Sequence, residues 1–171
     1  LALSKAIENT FEITPELKWP NDLTIKSKKI AGILVDAAFE SNKIESLVLG
    51  VGINFNVDIK AIKKTLKDTP NFYGVSSLSE QNKKVKPIQL VQNFFVELEK
   101  IYELLNKKQT KKIILEWTKR SSTLGKNVEI NTTDGKIKGK ATKIDEDGAL
   151  IISNKSKTYK VIAGDVIHLS K

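Results

Sequence analysis

The chain has 171 residues, 40% of them hydrophobic, enough for one ordinary domain or two small ones. Its 29 Lys+Arg against 20 Asp+Glu give a net charge of +9, yet the lysines run along the whole chain with few aromatics among them, which argues against a dedicated nucleic-acid surface. The absence of cysteine excludes disulfides and thiolate metal sites, and no apolar run approaches the roughly 20 residues needed to cross a bilayer.

With neither a charged-then-apolar leader nor cysteine, a cytoplasmic location is expected. No methionine is present, so Leu1 is not expected to be a translation start, and the chain reads as part of a longer protein.

In chain order, Leu1, Leu3, Ile7 and Phe11 have helical spacing, and Pro15 ends that helix. Short extended segments at Leu17 to Trp19 and Leu23 to Ile25 flank Pro20-Asn21-Asp22, a loop by composition. Two apolar segments, Ile30 to Phe39 and Ile44 to Ile53, joined at Ser41-Asn42-Lys43, read as a hairpin of central strands covered on both faces. Asp58 to Lys67 has helical content, and a polar excursion follows through Asp68, Pro70, Gly74, Ser76, Ser77 and Ser79. Pro87 suits the first position of a long helix, with Val91, Phe94, Phe95, Leu98, Ile101, Tyr102 and Leu105 as its apolar stripe. A second helix, Thr110 to Arg120, turns Ile113, Ile114 and Trp117 inward.

After Ser121 the pattern changes to short alternating segments, at 128–131, 137–144, 150–153, 159–162 and 166–169, with turns such as Thr133-Asp134-Gly135 between them. Strands this short and this close in sequence favour a small barrel, which hides the edges an open sheet would expose. The expected fold is therefore α+β, a mixed or antiparallel sheet with flanking helices over residues 1–121, then a barrel over 122–171.

The hairpin carries a geometric expectation. With a turn centred between Ser41 and Asn42, Lys29 lies opposite Asn54, Ala31 opposite Gly52 and Ile33 opposite Gly50, all on one face. Glycines on one face of a buried strand leave room for a close approach, either of a flat ligand or of a covering helix. An ammonium and a carboxamide at one end suit the polar end of such a ligand. Asn21 and Asp22 place two short oxygen-bearing side chains at a strand end, as a site or merely as an Asx-turn.

Lys18-Trp19-Pro20-Asn21-Asp22, then Lys29-Ile30-Ala31-Gly32-Ile33-Leu34-Val35, then Gly50-Val51-Gly52-Ile53-Asn54 resemble, in order and spacing, the biotin protein ligase family. The resemblance extends to a C-terminal barrel similar to the family's SH3-like domain. It implies that biotin and ATP give biotinyl-adenylate, and that the activated carboxyl group passes to a lysine of a biotin carboxyl carrier protein. Carried over by position, Lys29 contacts the biotin carboxylate and the adenylate phosphate, and Gly32, Gly50 and Gly52 bound the biotin pocket. Asn54 then reads the adenine or adjacent polar atoms, while Asn21 and Asp22 position the phosphates, the metal or the incoming lysine, with Asp22 as a candidate base. Mg²⁺ is expected from the chemistry of ATP, not from a ligand cluster. The family's glycine- and arginine-rich loop lies upstream of the segment represented here, so this segment by itself is expected to have little activity.

The resemblance also admits a homodimer through the central sheet. Two rival readings are a lipoate ligase of related fold, against which the Trp19-Pro20-Asn21-Asp22 block argues, and a nucleic-acid-binding module built on the basic barrel. His168, Trp117, Phe94 and Phe95 are expected to be structural, and Trp19 either packs beneath the loop or lines it.

Overall fold

A computed structural model of the chain describes residues 1–41, 43–66, 74–82, 84–132 and 135–169. Asn42 of the expected hairpin turn, Asp68 and Pro70 of the polar excursion, and Thr133 and Asp134 of the barrel turn lie outside the described residues. The elements are α1 (Ala2–Phe11), β1 (Glu16–Lys18), β2 (Asp22–Ile25), β3 (Lys28–Glu40), β4 (Lys43–Ile53), α2 (Ile59–Leu66), α3 (Pro87–Asn106), α4 (Thr110–Lys119), β5 (Asn127–Thr132), β6 (Gly135–Ile144), β7 (Leu150–Ser153), β8 (Thr158–Val161) and β9 (Asp165–His168). They form two compact units, Leu1–Pro20 with Val85–Lys171, and Asn21–Lys84.

In the first unit, α1 buries Leu3, Ile7 and Phe11 and ends where Glu12 takes a left-handed conformation (φ 58°). It packs on α3, with Asn93 donating to Thr10 and Asn9 donating to the buried Glu97 carboxylate. Pro87 opens α3 as expected, where its missing N–H costs nothing. The expected stripe needs correction: Leu90 is buried and Phe94 half-buried, but Val91, Phe95, Tyr102 and Leu105 are exposed. The ten-residue α1 covers one face of α3 only.

The strands after α4 form the expected set of five short strands, an antiparallel sheet in the order β8-β7-β6-β5-β9. Alternation along β5 to β9 turns Val128, Ile130, Ala141, Leu150, Ile152, Val161 and Val166 into one core. Trp19, more than a hundred residues earlier, completes that core. Its backbone N–H donates to Thr123 Oγ1 (3.1 Å) and its indole N–H to the Gly148 carbonyl (3.1 Å). Leu17 is tied beside it through Leu17 N to Arg120 O and Ser122 N to Leu17 O. Trp19 is thus a core residue of the first unit, and the Trp19–Pro20 peptide is cis.

The second unit is built on β2, β3 and β4, all antiparallel. Next to the turn the expected pairing holds, Glu40 opposite Lys43 and Phe39 opposite Ile44. Between Ala38 and Phe39 the register then shifts by one, because Ala38 pairs with Ser46 and Glu45 is bulged out. Beyond it the pairs are Leu34 with Gly50, Gly32 with Gly52 and Ala31 with Ile53, not Ile33 with Gly50 and Ala31 with Gly52. The expectation of a hairpin covered on both faces also fails. Leu34 and Val35 point to opposite faces and are 61% and 55% exposed, and Leu47, Val48 and Leu49 are exposed as well.

Candidate active site

The two bulges in this small sheet decide which side chains meet. In an uninterrupted strand Lys29 and Gly32, three residues apart, face opposite ways. Between Leu23 and Thr24, however, β3 carries one residue more than β2: Leu23 pairs with Ala31 and Thr24 with Lys29, so Ile30 is bulged. The Lys29 side chain consequently lies over Gly32. A Cβ on Gly32 would sit 3.1 Å from both Cε and Nζ of Lys29 and 3.2 Å from Asp22 Oδ1. Asp22 is directly opposite Gly32 on β2, and its carboxylate forms an ion pair with the Lys29 ammonium.

The second bulge, at Glu45, puts Gly50 and Gly52 on the face that carries Gly32. Among the described residues, a Cβ on Gly52 would meet only the Gly32 carbonyl, at 3.8 Å, and one on Gly50 only Leu34, at 3.6 Å or more. Within this unit the strip is therefore open, floored by backbone and bounded by Leu34 at one end and the Lys29–Asp22 pair at the other. Its depth comes from absent side chains, so any residue larger than glycine would raise the floor.

Asn54 stands just past β4 and not opposite Lys29 in the ladder. Its backbone N–H donates to Ile30 O (2.8 Å), and its carboxamide donates to the carbonyl of Lys29 (3.1 Å). The exposed Asn21 brackets Ile33, accepting from its N–H through the backbone carbonyl and donating through the side chain to Ile33 O. All seven residues singled out in the sequence, Asn21, Asp22, Lys29, Gly32, Gly50, Gly52 and Asn54, thus belong to one small sheet and its immediate ends.

Sequence reasoning missed the segment Gly74–Glu80, which lies along Lys29 as a short parallel bridge. Lys29 N–H donates to Gly74 O (3.0 Å) and Ser76 N–H to Lys29 O (2.9 Å). The only sequence signal is the pair Val75 and Leu78 bracketing two serines, and all four are buried. Thr24, also buried, has a hydroxyl with no hydrogen-bond partner among the described residues. No group of three His, Cys, Asp or Glu side chains among the described residues could hold a metal ion, so no metal cage is built here.

The arrangement offers one ammonium, fixed by a carboxylate, at the polar end of a glycine-floored strip. That suits an anionic head on a slender ligand.

Comparison with known proteins bears on the family and the fold. Residues 2–54 match the model of the biotin/lipoate A/B protein ligase family, and residues 123–169 match the biotin protein ligase C terminal domain. The bifunctional ligase/repressor BirA of Bacillus subtilis is 29% identical over 167 residues, covering 97% of this chain and 50% of that protein. The biotin--[acetyl-CoA-carboxylase] ligase of Mycobacterium tuberculosis is 29% identical over 155 residues, covering 90% of this chain and 53% of that protein. The chain therefore spans about half the length of these curated relatives. Among solved structures, the biotin protein ligase from Aquifex aeolicus superposes with a TM-score of 0.80 at 23% identity, over 98% of this chain and 71% of that one. The same enzyme in complex with biotin and ATP gives 0.77 at 23% identity, over 97% and 66%. With its three motif blocks, its α+β fold and both matching family models, the chain belongs to the biotin protein ligase family.

Proposed function

We propose that the protein carrying this chain joins biotin to ATP as biotinyl-5'-adenylate and passes the biotinyl group to a lysine of a biotin carboxyl carrier protein. The observation that carries this reading is the Lys29 ammonium held over Gly32 at the end of the strip floored by Gly50 and Gly52. Biotin's carboxylate meets Lys29, and its rings lie along Gly32, Gly52 and Gly50. Attack of that carboxylate on the α-phosphate gathers negative charge between them, and a fixed ammonium stabilises it more as the transition state forms. Asn54 takes the adenine end, and Asn21 and Asp22 flank the phosphates. Asp22 already neutralises and orients Lys29, which fits a positioning part better than that of a base. Mg²⁺ accompanies the ATP phosphates as a counter-ion, and no step is assigned to it.

The proposed ligase portion is residues 1–121 and the SH3-like domain 122–171, and the start of the C terminal domain model at residue 123 supports that boundary. No described helix is long and apolar enough to cross a membrane, and the lack of cysteine supports a place in the cytoplasm. The exposed β3–β4 hairpin is the surface on which a homodimer would form.

The test is biotin-dependent pyrophosphate release from ATP by the full-length protein, followed by transfer to a carrier domain. Lys29→Ala should lower the first step by about 10² to 10³. Pyrophosphate release with lipoate in preference to biotin would overturn the choice of substrate.

A further inference from the structure

We propose that the segment Gly74–Glu80 is a strap that sets the position of both Lys29 and Asn54 in the proposed site, and that Ser77 is its positioning residue; this rests on the ligase reading above. Lys29 is on β3 and Asn54 just past the end of β4, yet their backbones share this support. Lys29 is held on both sides of its peptide, its N–H on Gly74 O and its C=O on Ser76 N–H. Asn54 is held through its own carbonyl, which accepts from Leu78 N–H (2.8 Å), and the next carbonyl, of Phe55, accepts from Ser79 N–H (2.8 Å).

Ser77 closes this arrangement. Its hydroxyl donates to Phe55 O (2.7 Å) and accepts from Val57 N–H (3.3 Å), so one side chain satisfies an acceptor and a donor in the stretch that directly follows Asn54. The Ser79 hydroxyl lies within reach of the same hydroxyl (3.1 Å) and of Asn56 Oδ1 (3.2 Å), and its one proton serves one or the other. Ser77 is 1% exposed and its single proton is committed to Phe55, so it has no donor to offer a ligand. Its part is to hold Asn54 where the Asn54 carboxamide can reach Lys29 O and the nucleotide, acting through that residue and not on the reacting atoms. Ordinary connecting segments are solvated along their length; here Val75, Ser76, Ser77 and Leu78 are all buried, which a mere linker does not require.

The strap bonds Ser77 makes lie on the Asn54 side, while the biotin floor is made by Gly32, Gly50 and Gly52. Ser77→Ala in the full-length protein should therefore raise KM for ATP about tenfold, the size of one lost buried hydrogen bond, and leave KM for biotin within about twofold. Ser77→Thr, which keeps the hydroxyl, should recover most of the ATP affinity. Both KM values rising together, or neither changing while only the folded fraction falls, would overturn the proposal. If Ser77→Ala does not accumulate as folded protein, the less buried Ser79→Ala replaces it: a rise in ATP KM of about threefold supports the strap, and an unchanged value overturns it. Wild-type protein that releases no biotin-dependent pyrophosphate would overturn the ligase reading itself, and the strap's role with it.

Discussion

The Lys29 ammonium rests against the Cα of Gly32, close enough that a methyl group there would lie 3.1 Å from Cε and Nζ. This contact makes Gly32 as much a part of the lysine's placement as Asp22 is. Gly32→Ala should leave the fold intact, since the atoms it meets are the far ends of flexible side chains, but it should lift the ammonium from the strip. A displacement of this kind costs between ~10- and ~100-fold in adenylation rate. Wild-type rates for Gly32→Ala, with Tm unchanged, would show that Lys29 does not work from this position.

Lys29 and Gly32 share a face only because Ile30 is bulged, and Gly50 and Gly52 join them only because Glu45 is. Neither bulge is marked in the sequence: Gly32 stands two residues past Ile30 and not at it, and no glycine or proline lies within four residues of Glu45 on its strand. A hairpin read from its turn therefore gives Glu40–Lys43 correctly and places Ala31 where Gly32 belongs. The residue types were legible because the three motif blocks stand close together in the chain, and Pro87 and the barrel alternation were legible because they obey local rules. The strap was not, since its serines bond to backbone at Phe55 and Val57, some twenty residues away, and nothing local distinguishes that from a solvated loop. Trp19 in the barrel core, and the uncovered faces of the hairpin and of α3, are likewise set by chain-distant neighbours that periodicity does not reveal.

Thr24 is 2% exposed, and its hydroxyl has no hydrogen-bond partner among the described residues. A buried hydroxyl left without a partner costs about 1–3 kcal/mol, and valine has nearly the same shape without it. Thr24→Val should therefore stabilise the protein, by about 1 kcal/mol in urea unfolding followed by fluorescence. A loss of stability would mean that the hydroxyl is engaged, and would direct attention to its place beside Lys29 on the neighbouring strand.

Trp19 is fixed in the core of the C-terminal sheet by its ring and two hydrogen bonds. Replacing a buried tryptophan by alanine costs about 3–5 kcal/mol. Trp19→Phe keeps most of the apolar contact but leaves the Gly148 carbonyl without its indole donor, at a cost of about 1 kcal/mol. The ordering Ala below Phe below wild type in guanidinium midpoint is the expected result; equal midpoints for Ala and Phe would contradict the packing described.

His168, on β9, lies 3.3 Å through Nε2 from the Thr123 hydroxyl that also accepts the Trp19 N–H. Burial, and then the nearby Lys126 and Lys18, push its pKa down from 6.5 to about 4. The fold thus disfavours the protonated ring. Between pH 6.5 and about 4 the unfolded chain takes up a proton that the folded one does not, so stability is complete above pH 6.5, falls as the pH is lowered through this window, and loses nothing further from His168 below it. Because the residue is only partly buried, solvent screening reduces the effect to the order of 1 kcal/mol. Glu129 and Asp145, whose carboxyls hydrogen bonds from lysine ammoniums hold below the usual range, add their own acid loss, but they add it equally to any His168 variant. Comparing wild type with His168→Gln, which does not titrate and keeps an amide for Thr123, isolates the histidine. The gap between the two in unfolding free energy should change in favour of the variant as the pH falls from 6.5 to 4; parallel curves across that range would show that the ring is protonated in the folded state as readily as outside it.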